Sequence, residues 1–220
     1  MSTFQTLVDA TFTNPTTSAG LSCTEQAFGA CTVSMCTGST IAPAPGAGVI
    51  TVADGARLSA SLMPSTDGTY AVFSSPGILL PGGEMVMVNA AGGDIPAFSG
   101  AIEQPLILLV TSPTDASSGT FTWPRAKDLS FSFDRGTAGV ELEVQGASTA
   151  GKSLACHFAS EAGMATIPTA VLSELEGGVT LDVFTSATKR VQAANYSVDL
   201  IAFAAATNVA KTAGVHVILQ

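Results

Sequence analysis

The fold class is decided by two stretches in the second half of the chain, Leu129-Ser130-Phe131-Ser132-Phe133 and Val140-Glu141-Leu142-Glu143-Val144. In both stretches apolar and polar side chains alternate, and successive side chains of a β-strand point to opposite faces of a sheet. Each strand therefore has one apolar and one polar face, which is typical of a strand half buried against a core. We predict that Glu141 and Glu143 lie on the solvated face, opposite Leu142.

The same alternation recurs along the rest of the chain, interrupted by residues that favour turns. Asp54-Gly55 and Asp67-Gly68 separate alternating runs in the first half. Asp-Gly favours the tight turn of a β-hairpin, because Gly accepts a positive φ without penalty. A helix is predicted only near 169–175, where Pro168 precedes the segment and Gly177-Gly178 follows it.

The length of the chain and the spacing of its strands predict two tandem immunoglobulin-like β-sandwich domains. Residues 41–112 are assigned to the first domain and residues 125–220 to the second, with a turn-rich linker at 113–124. Residues 1–40 are predicted to be a cysteine-containing N-terminal segment that packs on the first domain.

The two halves share a faint internal repeat. Ala47–Val52 matches Ala138–Val144, and Leu80–Val88 matches Leu175–Val183, in the same order and at similar spacing. A duplicated sandwich of about 90 to 100 residues accounts for this match. Coincidence is the alternative, since Gly-Gly before a strand is frequent in glycine-rich β proteins. Different strand orders in the two halves would contradict the duplication.

The charge balance argues against two classes of partner. Eight basic residues against seventeen acidic ones give a net charge of −9. The basic residues are scattered, whereas binding to nucleic acid or to anionic lipid needs a clustered positive face. The apolar runs are also far shorter than the roughly 20 residues that span a bilayer. We therefore expect no nucleic-acid partner and no membrane span.

Composition and cysteine content favour an extracytoplasmic location, at the cell surface or secreted. Charged residues make up only 11% of the chain, so neutral polar side chains must cover much of its surface. An even number of cysteines in such a chain favours disulfides in an oxidising compartment. The first five residues have no signal-peptide pattern. We expect that a signal segment has been removed upstream, and a native start at Met1 would contradict this expectation.

The four cysteines, Cys23, Cys31, Cys36 and Cys156, allow three disulfide pairings. We predict a Cys31–Cys36 bond that closes a small local loop. Cys23 and Cys156 then form the second pair and staple the N-terminal segment to the second half, or Cys156 stays a free buried thiol. Structural zinc is disfavoured, because the spacings are looser than the paired C-x2-C of zinc sites.

No residue pattern indicates catalysis. Only His157 and His216 supply imidazole, and no G-x-S-x-G elbow is present. Ser153 is four residues from His157 along a predicted strand, a spacing that does not form a nucleophile–base pair. We expect no catalytic residue, no cofactor and no enzymatic activity. The competing hypothesis, a hydrolase with an unrecognised carboxylate site, requires acidic residues clustered in a cleft.

Two kinds of ligand remain as alternatives. Loop carboxylates in acidic extracellular domains often bind calcium, although no D-x-D-x-D-G loop is present and Asp-Gly is already explained by turns. Trp123, beside the turn-rich linker, is the candidate for stacking on a sugar ring. The candidate calcium ligands are Asp54, Asp67, Asp94, Asp115 and Asp134.

Five short segments carry a resemblance to other proteins: Gly93–Ser99, Thr111–Pro113, Lys127–Leu129, Leu154–Phe158 and Gly163–Pro168. Through them the chain resembles uncharacterised secreted or lipoprotein-type β proteins of myxobacteria, which carry a cysteine pair near the start of the mature region. The resemblance extends from residue 31 to residue 220. It implies an envelope location and a β-sandwich, and it brings no known activity or functional residue.

The sequence therefore predicts a non-enzymatic cell-envelope or extracellular module with a structural or adhesive role. A carbohydrate- or calcium-binding module is the first alternative, and a filament or virion subunit is the second. The expected partners are other envelope proteins or surface glycans. The oligomeric state is left open.

Overall fold

The computed structural model describes residues 5–8, 21–38, 45–55, 59–65, 70, 73–76, 82–113, 119–134, 136, 139–208 and 214–220 of the 220-residue chain. These residues form 18 strands, one short α-helix and one 3-10 turn, so the predicted all-β class is confirmed. No helix within these ranges has both the length and the apolar character needed to cross a membrane.

The strands have the following bounds in chain order: β1 Gln5–Val8, β2 Leu21–Phe28, β3 Cys31–Gly38, β4 Ile50–Ala53, β5 Ser59–Leu62, β6 Phe73–Pro76, β7 Met85–Ala90, β8 Phe98–Glu103, β9 Leu109–Ser112, β10 Thr120–Trp123, β11 Leu129–Phe133, β12 Glu141–Ser148, β13 Lys152–Ala159, β14 Met164–Ile167, β15 Val179–Ala193, β16 Tyr196–Ala205, β17 Thr207–Asn208 and β18 Val215–Leu219. The helix α1 spans Thr169–Leu172 and begins directly after Pro168, but it ends before the predicted residue 175. The 3-10 turn is Ser160–Ala162.

The chain divides into two compact units. Unit 1 contains Met1–Leu21, Gly38–Gln104 and Ala187–Ala202, and its main sheet is antiparallel with the strand order β5-β4-β7-β8. The predicted turn residues Asp54 and Gly55 come directly after β4, which pairs with β5 as an antiparallel hairpin. Its core combines one face of this sheet with apolar side chains from 187–202, including Ile50, Val52, Leu62, Val86, Phe98, Ile102, Ala193 and Leu200.

Unit 2 contains Ser22–Thr37, Pro105–Ser186 and Phe203–Gln220. Its large sheet has the order β10-β18-β15-β12-β13-β3-β2, with β16 pairing with β15, and a four-stranded sheet has the order β14-β11-β9-β17. One core joins the inner faces of the two sheets and α1, as in a sandwich. That core includes Val33, Phe121, Leu129, Phe131, Leu142, Val144, Ile167, Leu172, Val183 and Val217.

The main sheet of unit 1 and the large sheet share part of their strand order. In unit 1 the order β5-β4-β7-β8 places a hairpin, then an inner strand, then the strand that follows it in the chain. In the large sheet, the order β13-β12-β15-β16 follows the same pattern, with antiparallel β12–β13 and β12–β15 pairs, although most of β16 lies in unit 1. The matched segments of the sequence contain the first residues of β4 and β12, and of β7 and β15. The shared order is compatible with the duplication, which stays a prediction because most of the strand matched to β8 lies in unit 1.

The structure divides the chain differently from the predicted tandem arrangement. Residues 22–37 belong to unit 2 because β3 pairs with β13, whereas the N-terminal segment was expected on the first domain. Residues 187–202 belong to unit 1, inside the range predicted for the second domain. In the predicted linker at 113–124, residues 120–123 form β10, which pairs in parallel with β18; residues 114–118 lie outside the described part.

Candidate functional site

The outer face of the large sheet in unit 2 carries both histidines of the chain. Because side chains alternate along each strand, the residues that do not face the core form rows across neighbouring strands. One such row, read across β10, β18, β15, β12, β13 and β3, consists of Thr120, His216, Asp182, Gln145, Ala155 and Thr32. We call the side of the large sheet on which this row lies the outer face; His157, two residues after Ala155 on β13, lies on the same side.

Each histidine on the outer face is paired with a carboxylate. His216 Nδ1 lies 2.5 Å from Asp182 Oδ1 on the neighbouring strand, and His157 Nδ1 lies 2.9 Å from Glu141 Oε2. These four side chains are about half exposed: His157 and Glu141 are 48% and 51% exposed, and His216 and Asp182 are 44% and 48% exposed. Ion pairs in such water-exposed positions add little to stability.

Glu143 is the exception on this face, because its side chain is buried. It is only 4% exposed, and it lies between Phe184 on β15 and His157 on β13 in the strand register. Its Oε1 accepts a hydrogen bond from Gln145 Nε2. The prediction that Glu141 and Glu143 share a solvated face is therefore correct for Glu141 and wrong for Glu143, since large neighbours on both adjacent strands cover the second carboxylate.

The outer face does not bring together the ligands of a metal. Among the described residues, no group of three or more His, Cys, Asp or Glu side chains is placed so that it could hold a metal ion. The two imidazoles instead bond to separate carboxylates. Sequence reasoning missed both pairs, because the partners are far apart in the chain and meet only through strand pairing.

The cysteines form two disulfides within unit 2. Cys23 bonds to Cys36 and closes the β2–β3 hairpin, and Cys31 bonds to Cys156, its direct neighbour on β13. The predicted Cys31–Cys36 and Cys23–Cys156 pairs are therefore wrong. Cys31 and Cys36 lie on the same extended strand, five residues apart, where their side chains point to opposite faces.

The candidate calcium ligands are dispersed where the structure describes them. In unit 1, Asp94 Oδ2 accepts a hydrogen bond from Gly46 N at 3.1 Å, which fixes a loop, and Asp54 also has a bonded partner. In unit 2, Asp134 follows β11 and is exposed. Asp67 and Asp115 lie outside the described residues. The aspartates that are described do not form a shared site.

Trp123, the candidate for sugar stacking, is half-buried at the end of β10. Its Nε1 donates a hydrogen bond to the Lys127 carbonyl oxygen at 3.1 Å, and its ring meets the edge of Phe121 at a centroid distance of 6.3 Å. The Lys127 ammonium lies 5.0 Å from the centre of the indole ring, within the range of a cation–π contact. A sugar ring would have to displace Lys127 from that face of the indole.

Two further polar contacts hold elements in place. Asp128 Oδ1 accepts hydrogen bonds from Thr169 Oγ1 and Thr169 N, at 2.6 and 2.7 Å, and these bonds hold the pKa of Asp128 below its usual range. On the hairpin of β15 and β16, Arg190 donates two hydrogen bonds to Asp199, at 2.7 and 2.8 Å. Those bonds lower the pKa of Asp199 and raise that of Arg190.

No protein-family model and no curated protein matches the chain. Among solved structures, the chain is similar to a tetra-tandem repeat in the extending region of a large adhesion protein, at 17% identity and a TM-score of 0.24, over 85% of this chain and 49% of that one. It is also similar to a Ca2+-stabilised adhesin that helps an Antarctic bacterium to bind ice, at 14% identity and a TM-score of 0.21, over 94% of this chain and 50% of that one. The chain thus spans about half the length of each. These TM-scores are too low to establish a shared fold.

Proposed function

We propose that the chain is a non-enzymatic module that works outside the cytoplasm, in a structural or adhesive role. The observation that carries the proposal is the pair of disulfides in unit 2. The Cys31 and Cys156 side chains are at most 1% exposed, so their bond is built into the core rather than added at the surface. Cytosolic thiols are kept reduced, whereas secreted and cell-surface proteins keep such bonds.

The surroundings of the histidines also support this proposal. Both imidazoles lie on an open sheet face, and each is paired with a carboxylate that is itself about half exposed. General acid–base and electrostatic catalysis gain most of their strength in sites from which water is excluded. A half-exposed pair is ordinary surface chemistry of a two-faced sheet.

The thiol state in the source cells tests the location. Intact cells are treated with a membrane-impermeant alkylating reagent, lysed in acid, and the chain is mapped by mass spectrometry without reduction. We expect Cys23–Cys36 and Cys31–Cys156 peptides from a compartment outside the cytoplasm. Recovery of four reduced thiols that the impermeant reagent has not alkylated would contradict the proposed location.

Complementation of a deletion strain tests the non-enzymatic role. Cells that lack the chain are expected to lose surface attachment or envelope integrity, and the wild-type gene restores it. The double variant His157→Ala/His216→Ala should restore it equally well, because neither imidazole is needed in a structural or adhesive module. A folded double variant that fails to complement would show that the proposal is wrong.

The carbohydrate and calcium alternatives are tested on the purified chain. A glycan array is read with the wild type, with Trp123→Ala and with Lys127→Ala, which uncovers one face of the indole. We expect no glycan signal from any of the three. Binding that Trp123→Ala abolishes and Lys127→Ala increases would favour a carbohydrate-binding module. A calcium-dependent thermal shift that Asp94→Asn removes would favour a calcium-binding module.

A further inference from the structure

The disulfide connectivity determines how far the chain can be stretched. The Cys31–Cys156 bond has a sequence separation of 125, and the Cys23–Cys36 bond has a separation of 13. When the two ends of the chain are pulled apart, tension passes across both bonds and bypasses residues 37–155, whereas residues 31–36 stay under load because Cys36 is tied to Cys23. Only about 90 of the roughly 220 residues can then be extended, so the contour length of the oxidised chain is about 32 nm at about 3.5 Å per residue.

The strand order of unit 2 determines which hydrogen bonds resist a pull on the C-terminal residue. β18 lies between β10, to which it is parallel, and β15, to which it is antiparallel. Backbone hydrogen bonds continue past the strand, from Gln220 N to Trp123 O at 3.0 Å and from Arg125 N to Gln220 O at 2.9 Å. A pull on residue 220 therefore draws β18 along its own axis between two neighbours, so that the bonds of both ladders resist together.

The inner face of β18 adds a second source of resistance. Val215 and Val217 are fully buried, and Leu219 is nearly so, whereas Ile218 on the opposite face is 41% exposed. Sliding the strand out of the sheet exposes the buried side chains to water, which costs free energy in proportion to their apolar area. Cys156 and Val215 lie on one cross-strand row, through Val144 and Val183, so the covalent anchor and the start of β18 belong to the same sheet.

We propose that Cys31–Cys156 is a covalent tension limiter, which shields residues 37–155 from extension and places the load on the β18 clamp. The clamp is defined as β18 between β10 and β15. This proposal rests on the extracytoplasmic role proposed above, because the bond must be oxidised when the chain is under load. The shielded range includes β10, so one side of the clamp stays covalently closed while β18 is pulled.

Single-molecule stretching of the whole chain, with handles at residues 1 and 220, tests the limiter. The oxidised wild type should reach a contour length of about 32 nm, and the reduced wild type about 77 nm. The variant Cys31→Ala/Cys156→Ala should reach about 72 nm. The matched control Cys23→Ala/Cys36→Ala should stay near 33 nm, because the long bond alone limits extension. An oxidised wild type that extends to the reduced length, or a control that lengthens it, would overturn the proposal.

The clamp is tested by two substitutions on the same strand. Val217→Ala removes a buried side chain, and Ile218→Ala removes an exposed one. At constant force, Val217→Ala should rupture about tenfold faster than the wild type, and Ile218→Ala at nearly the wild-type rate. Equal rates for the two variants would overturn the clamp. If the deletion strain showed no defect but the contour lengths and rupture rates were as expected, the proposed function would fail and the mechanical inference would stand.

Discussion

Removing each disulfide in turn should destabilise unit 2 by different amounts, because the two bonds close loops of very different length. In the chain-entropy model a disulfide stabilises the folded state by restricting the unfolded one, and the effect grows with the logarithm of the loop. The separation of 125 for Cys31–Cys156 gives about 5 kcal/mol, and the separation of 13 for Cys23–Cys36 gives about 3 kcal/mol.

Urea unfolding followed by tryptophan fluorescence measures this difference. Trp123 is the only tryptophan of the chain and packs on the core of unit 2, so its emission reports on that unit. At a slope of about 2 kcal/mol per M, Cys31→Ala/Cys156→Ala should lower the midpoint by about 2.5 M and Cys23→Ala/Cys36→Ala by about 1.5 M. Reducing the wild type separates the loss of the bonds from the loss of the sulfur atoms.

A third variant distinguishes the observed pairing from the pairing expected from the sequence. Cys31→Ala/Cys36→Ala breaks both observed bonds and leaves Cys23 and Cys156, which should titrate as two free thiols. If the sequence-based pairing were right, this variant would keep a Cys23–Cys156 bond and have no free thiol. A larger loss of stability for the Cys23–Cys36 variant than for the Cys31–Cys156 variant would refute the reasoning from loop length.

Three further predictions concern local features of the two units. Gly48→Ala should cost about 3 kcal/mol, since its φ of +71° disfavours a side chain and a methyl group there would overlap the Gly92 carbonyl, whereas Gly55→Ala, at φ +83° in open space, should cost about 1 kcal/mol. Both glycines lie in unit 1, which has no tryptophan, so urea unfolding is followed here by circular dichroism, and equal costs would contradict this prediction. Tyr70→Phe should cost about 2 to 4 kcal/mol by the same circular dichroism assay, because the hydroxyl accepts a hydrogen bond from Ala47 N at 2.9 Å and donates one to the Gly48 carbonyl oxygen at 2.8 Å. A loss near zero would show that water replaces the hydroxyl. Asp128→Asn should remove part of the acid sensitivity of unit 2. A carboxyl whose pKa is lowered in the folded state stabilises the folded state above the unfolded pKa, and this stabilisation is lost as the pH falls below about 4. The free energies of unfolding of wild type and variant should therefore differ at pH 7 and converge at low pH.

Local pattern was sufficient for the class of the fold and for much of its core. Leu129, Phe131 and Phe133 are all buried, as their alternation predicts, and the only described helix begins after Pro168. Alternation reports which face of a strand is apolar, but it does not report which strand lies beside it. For that reason the sequence could not place 22–37 in unit 2 or 187–202 in unit 1.

The polar residues of the outer face show the same limit. Glu141 and Glu143 have equivalent positions in the alternation, yet only Glu143 is covered, because Phe184 and His157 are its cross-strand neighbours. The disulfide pairing could have been constrained from sequence in one respect. If 31–38 is read as a single strand, the odd spacing of Cys31 and Cys36 already places them on opposite faces.

The shared strand order shows which strands the large sheet has in addition to it. The order β5-β4-β7-β8 corresponds to β13-β12-β15-β16, so four strands of the large sheet have no counterpart in the sheet of unit 1: β2, β3, β10 and β18. The first two extend the edge at β13, and the other two extend the sheet beyond β15. Both disulfides involve the first pair, and the clamp involves the second. The proposed limiter and the proposed clamp therefore each need strands outside the shared order, in addition to Cys156 on β13 and to β15, and a chain reduced to that order would have neither.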